Sequence, residues 1–179
     1  MDIHQIVVPI DFSTCSMLVV GRAASLAGKL GSRLLLLHVA EVPEGVAPDT
    51  LVRPDGVPVK AGELAVHGAT ASMERMVGEA RRHGVDPLVV VRTGPVVDTI
   101  LEVADEHKAD LLVIGTHGRT GLARMVLGSV AEQVARRAHA PVMLIRREVR
   151  PECHRASCDW CNHHDRSREE ESLDAEVNG

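Results

Sequence analysis

Five short apolar runs divide the chain, and the stretches between them carry apolar residues at helical spacing. The first run, Gln5 to Ile10, is rich in β-branched residues and bounded by Pro9 and Asp11, the pattern of a buried strand. From Ser13 to Leu30, the residues Leu18, Val19, Ala23, Leu26, Ala27 and Leu30 recur at helical spacing, with Ser13 or Thr14 as the cap and Gly31 as the stop. Arg33 to Val39 is a second continuous apolar strand. Residues 41–62 break the pattern: Pro43, Pro48, Pro54 and Pro58 with no clear period predict a long excursion. A helix is expected from Glu63 to His83, closed by Gly84, then a strand from Leu88 to Arg92 and an amphipathic helix from Val96 to His107. A fourth strand, Leu111 to Ile114, leads into a glycine-rich loop over Gly115 to Leu127. A helix from Gly128 to Ala138 and a fifth strand, Val142 to Ile145 behind Pro141, complete the series.

Buried-type strands alternating with amphipathic helices predict an α/β fold, a five-stranded parallel doubly wound sheet with helices on both faces. In such sheets ligands bind beyond the carboxyl ends of the strands, where the winding reverses. That directs attention to Asp11, Val39 and Gly115, which end the first, second and fourth strands.

Composition narrows the functions open to this fold. Of the 179 residues, 45% are apolar but only 1% aromatic, namely Phe12 and Trp160. Binders of single-stranded nucleic acid stack bases on aromatic rings, and aromatic cages for quaternary ammonium groups need several. Neither suits this chain, and a net charge of −5 argues against a phosphate-tracking surface. No nucleic-acid partner is expected. The Met1–Ile10 segment has no basic stretch ahead of an apolar one. No apolar run approaches the roughly 20 residues needed to span a bilayer. A soluble cytoplasmic protein without membrane contact is the expectation. The charge is uneven: residues 149–179 carry four arginines against eight carboxylates, or −4 of the total −5. The chain therefore divides into a body, residues 1–148, and a Cys/His-rich, acidic C-terminal tail, residues 149–179.

The glycine loop carries the chemistry. Gly115, Gly118, Gly128 and Ser129 follow the spacing G-x2-G-x9-G-S, which is neither a Walker loop nor a GxGxxG fingerprint. Gly115 and Gly118 permit close approach of backbone to a ligand. Gly128 and Ser129 stand at a helix start, where free amides and the helix dipole favour an anion such as phosphate. A single glycine in such a loop is more often just a turn, and Ser129 just a cap. It is the complete spacing after the fourth strand that points to a ligand.

Over residues 1–147 the chain resembles the universal stress protein family, in its ATP-binding branch. The resemblance rests on Val7-Val8-Pro9-Ile10-Asp11, Leu37-His38-Val39, Asp110 to Gly115, the glycine-loop spacing and Ala140 to Ile145. It implies an adenine nucleotide alpha hydrolase-like fold that binds ATP, with Mg2+ or Mn2+, between the first and fourth strands. It also implies a homodimer through the fifth strand, about residues 141–146. Position by position, Pro9, Ile10, Asp11 and the backbone near Val39 would hold the adenine and ribose. Gly115, Gly118, Gly128, Ser129 and Val130 would surround the phosphates, with His117 and Arg119 in the same loop. The implied role is a nucleotide-dependent stress-response regulator. The proline-rich excursion and the tail depart from the family pattern.

Single residues have plainer roles to weigh. Asp11 would by itself form a turn and cap the first helix; beside the glycine loop it becomes a ligand group. Arg119 suits phosphate by its permanent charge, although loop arginines are usually solvated, and His117 fits either a phosphate or an exposed loop. His38, within a strand, reads as a satisfied core or rim histidine, and Cys15 as a small buried residue. No catalytic constellation or general base emerges. Slow ATP hydrolysis is the most enzymatic reading. The tail holds Cys153, His154, Cys158, Cys161, His163 and His164, with Cys158 and Cys161 spaced to grip one tetrahedral metal. Zn2+ binding, a redox-responsive dithiol and an unstructured segment all stay open there. They define a second functional reading, a metal- or redox-sensing module on a dimeric α/β body. Nothing in the sequence points to a downstream protein partner.

Overall fold

Strands that must bury both faces can lie only between two layers of helix, and that requirement organises this chain. The computed structural model describes residues 2–13, 15–43, 45–116 and 127–146. The elements in chain order are β1 (Gln5–Ile10), α1 (Ser16–Leu30), β2 (Arg33–Ala40), β3 (Leu51–Val52), β4 (Val59–Lys60), α2 (Ala61–Arg82), β5 (Leu88–Thr93), α3 (Val96–Glu106), β6 (Leu111–Gly115), α4 (Ser129–Arg137) and β7 (Val142–Ile145). Five strands form one parallel sheet in the order β5-β2-β1-β6-β7.

Period-two alternation splits the core into two slabs. Ile6, Val8, Leu34, Leu36 and Val113 face α1 and α2, where Val20, Ala24, Met73 and Met76 meet them. Val7, Leu35, Leu37, Leu112 and Ile114 face α3 and α4, packing on Ile100, Val103, Ala131 and Val134. Small residues bring α1 close: Gly21 faces Glu79 of α2, whose carboxylate oxygen lies only 2.9 Å from where a Cβ would stand.

The sheet is also stitched along its amino ends. The Asp110 carboxylate, just ahead of β6, accepts from the amides of His4 at 2.8 Å and Gln5 at 2.9 Å. Those two donors hold its pKa below the ordinary value, with small Coulombic help from His4 and Arg33. From β1 the chain winds outward to β2 and β5 with α1 and α2 on one face. It then crosses back through α3 to β6 and β7 on the other side. The reversal falls between β1 and β6.

Three local expectations shift. Ser13 does not stand at the N-cap of α1; that position is Cys15, with no side-chain cap bond, and Thr14 lies outside the described residues. Gly31 does stop the helix, in the left-handed region at φ 68°, its amide bonded to the Ala27 carbonyl. The excursion holds a small antiparallel hairpin, with Leu51 opposite Lys60 and Val52 opposite Val59. Two-residue strands are too short to show a period, yet Pro54-Asp55-Gly56 between them is a turn signal, and Gly56 takes φ 80°. The hairpin leads straight into α2, which starts at Ala61 rather than Glu63.

Leu36 is fully buried and Leu88 is 54% exposed at the sheet edge. Leu36→Ala is expected to cost about 2–5 kcal/mol by urea unfolding, whereas Leu88→Ala should stay within about 0.5 kcal/mol. Equal effects would contradict the two-slab core.

Candidate functional site

The hydrogen-bonded seam of the sheet opens at its centre. The β1–β2 register runs through to Ile10 opposite His38, and the β6–β7 register through to Gly115 opposite Ile145. Between β1 and β6, pairing is confined to Ile6 with Leu111 and Val7 with Leu112. Beyond Val7 the registered pairing between the two strands ends, and a cleft of about 320 Å³ lies at their carboxyl ends.

Residues marked by the sequence converge on this cleft. Pro9, Ile10 and Asp11 come from the end of β1 and Val39 from β2. Gly115 comes from β6, and Gly128, Ser129 and Val130 from the start of α4. Leu37, Val96, Ile100, Ile114 and Ala131 supply aliphatic walls. His117, Gly118 and Arg119 lie outside the described residues, as do Cys153, His154, Cys158, Cys161, His163 and His164 of the tail.

The ends of the glycine loop are fixed by backbone. Thr116 donates its amide to the Ile145 carbonyl at 2.9 Å and accepts the Gly128 amide at 2.9 Å. This pinch brings the exit of β6 to the start of α4. The first amides of α4 have no intrahelical acceptor, and the positive end of the helix dipole lies there.

At the opposite wall stands Asp11. Its Oδ1 accepts from the Ser13 amide at 3.0 Å and the Ser16 hydroxyl at 2.9 Å. Burial pushes this carboxyl up, but the donors from Ser13 and Ser16 outweigh it and hold the pKa below the ordinary carboxylate value. Asp11 is therefore an anion near neutral pH. Its ionisation stabilises the fold above about pH 4, and the contribution is lost as pH falls through the folded-state pKa. Asp11 and Glu41 are the charged side chains among the described lining residues, and both are acidic. The described residues contain no cluster of three or more metal-ligating side chains.

Three further residues line the cleft that the sequence did not mark as ligand groups. Ser16 was invisible because its contribution depends on the turn after β1. Cys15 is buried as expected, yet it lines the cleft at the N-cap of α1. His38 is 5% exposed, and its Nδ1 lies 2.7 Å from the Ile10 carbonyl, which can only accept, so Nδ1 carries the hydrogen. It is a satisfied histidine, and it also brings a ring to the cleft wall. Within the excursion, the described residue that reaches the cleft is Glu41.

Comparison with known proteins finds relatives over this part of the chain. The model of the universal stress protein family matches residues 2–146. A universal stress protein of Methanocaldococcus jannaschii is 31% identical over 143 residues, covering 80% of this chain and 82% of the relative. A solved universal stress protein in complex with cAMP is 27% identical with a TM-score of 0.60, covering 81% of this chain and 98% of that one. One from Archaeoglobus fulgidus in complex with dAMP is 26% identical with a TM-score of 0.59, covering 81% of this chain and 99% of that one.

The Asp11 network predicts a titration. By 13C NMR of the carboxyl carbon, Asp11 should titrate below the ordinary aspartate value, and Ser16→Ala should raise it, because burial is then less opposed. A pKa unmoved by Ser16→Ala would contradict the network.

Proposed function

This chain belongs to the universal stress protein family, and from that premise we propose that the cleft binds ATP and that the protein acts as a nucleotide-dependent stress-response regulator. The observation that carries this reading is the cleft beyond the last β1–β6 pair, with an anionic Asp11 on one wall and the start of α4 on the other. A nucleoside phosphate has matching ends. Its ribose hydroxyls are donors for the Asp11 carboxylate, and its phosphates are acceptors for the Ser129 and Val130 amides and the Ser129 hydroxyl, beside Gly128, whose own amide is held by the Thr116 carbonyl. Pro9, Ile10 and the backbone near Val39 flank the base and ribose. Gly118, His117 and Arg119 are proposed phosphate neighbours on the loop sequence alone. The cAMP and dAMP complexes of the two solved relatives support an adenine nucleotide here.

Mg2+ or Mn2+ fits the donor set. The Glu41 carboxylate and the Ser129 hydroxyl are hard oxygen donors lining the same cleft, and Mg2+ commonly joins one or two carboxylates to bound phosphates. The ion would offset repulsion between the carboxylates of the cleft and a triphosphate. With no general base assigned, turnover is expected to be slow, so the nucleotide serves as a signal more than a substrate.

Two further readings accompany this one. β7 is an edge strand, with Met143 39% and Leu144 40% exposed; such an edge is a pairing surface, and a second copy of the chain is its proposed occupant. The tail's Cys158-x2-Cys161 pair, with Cys153 or His154 and His163 or His164, is a zinc site proposed from spacing alone. The chain is expected to work in the cytoplasm; no helix among the described residues is long and apolar enough to cross a membrane.

Calorimetry with ATP and Mg2+ should show one site per chain. Gly128→Trp should weaken binding by at least about tenfold while the fold persists. Absence of binding by the folded wild type would overturn the proposal. Native mass spectrometry should find a dimer that Met143→Lys with Leu144→Lys converts to monomer. It should also find zinc that is lost on replacing Cys158 and Cys161 by serine. A wild-type monomer or a metal-free chain would remove the corresponding reading.

A further inference from the structure

His38 is placed where the alternation of β2 calls for an apolar residue. Leu34 and Leu36 point into the slab under α1 and α2, and position 38 continues that series at the carboxyl end of the strand. An imidazole in such a position needs a hydrogen-bond partner to offset its desolvation. Its partner is the carbonyl of Ile10, the last residue of β1, at 2.7 Å. The same ring packs against Phe12, with centroids 4.2 Å apart and planes inclined at 37°.

Phe12 has an unusual backbone. Its φ is 59°, in the left-handed region that side chains larger than glycine rarely adopt and that persists only where the surroundings over-determine it. His38 thus grips the residue before Asp11 through its carbonyl and the residue after it through its ring. Asp11 itself sits between the two grips, with its carboxylate toward Ser13, Ser16 and the cleft.

We infer that His38 is a positioning residue for the nucleotide's sugar: by clamping Ile10 and Phe12 it holds the turn after β1 so that Asp11 presents its carboxylate to the ribose hydroxyls. The inference rests on the reading that Asp11 takes the ribose. A core histidine with no such role would affect stability alone, and a change there would weaken ATP and its sugar-modified analogues alike.

The test compares ATP with 2′,3′-dideoxy-ATP, by calorimetry with Mg2+, on full-length protein whose fold is checked by circular dichroism. Wild type should prefer ATP by about tenfold or more, the scale of a hydrogen bond to a charged group. Asp11→Ala should reduce the preference to within about twofold, and His38→Leu should do the same with Asp11 intact. His38→Asn, which keeps a donor for the Ile10 carbonyl, should restore part of the preference. Phe12→Ala gives an independent arm if His38→Leu does not fold, and it too should narrow the preference. Discrimination that survives in Phe12→Ala and in the folded His38 variants, yet falls in Asp11→Ala, would overturn the inference and leave the ribose role standing. Equal binding of the two nucleotides by wild type and Asp11→Ala would overturn both.

Discussion

The early end of pairing between β1 and β6 is the constraint on which the rest of the structure depends. A buried parallel strand seeks partners on both edges, and β1 has β2 along its full length. On its other edge it has β6 only at Ile6 and Val7. The winding reverses at this seam, so β1 and β6 are followed by helices on opposite faces. The site lies between those helices, beyond the last β1–β6 pair.

Two sets of hydrogen bonds shape that space and keep it polar where it matters. On the β6 side, Thr116 bonds to both Ile145 and Gly128, which brings the start of α4 to the end of the strand. On the β1 side, Ser13 and Ser16 turn toward Asp11 and keep it ionised despite its burial. Both sets are short-range, and both join elements that the sheet topology has already brought together. The aliphatic walls, Val39, Ile100 and Ile114 among them, belong to the slab under α3 and α4, so core packing and site shape are one problem there.

Much of this was legible in the sequence because its period is simple. Runs such as Arg33 to Val39 and Leu111 to Ile114 are apolar on both faces, which only a covered parallel sheet accommodates. Gly115, Gly128 and Ser129 announced themselves by spacing. What was not legible depends on how the chain turns and on which residues the sheet sets side by side. Ser16 matters because of where Asp11 turns, and His38 because it lies opposite Ile10 in the ladder. The β3–β4 hairpin escaped because two-residue strands have no period, although its Pro-Asp-Gly turn was in plain view. The scarcity of aromatic residues, first a reason to exclude nucleic-acid stacking, describes the site as well. Among its described walls the ring is that of His38, and Phe12 supports that ring from outside the lining.

The most direct test of the central claim is amide chemical-shift mapping on titration with ATP and Mg2+. The account predicts that the largest shifts fall on Asp11, Val39, Gly115, Ser129 and Val130, around the opened seam. It also predicts that residues at the opposite end of the sheet, such as Arg33 and Lys108, stay unmoved. No shifts, or shifts centred on that opposite end, would contradict it.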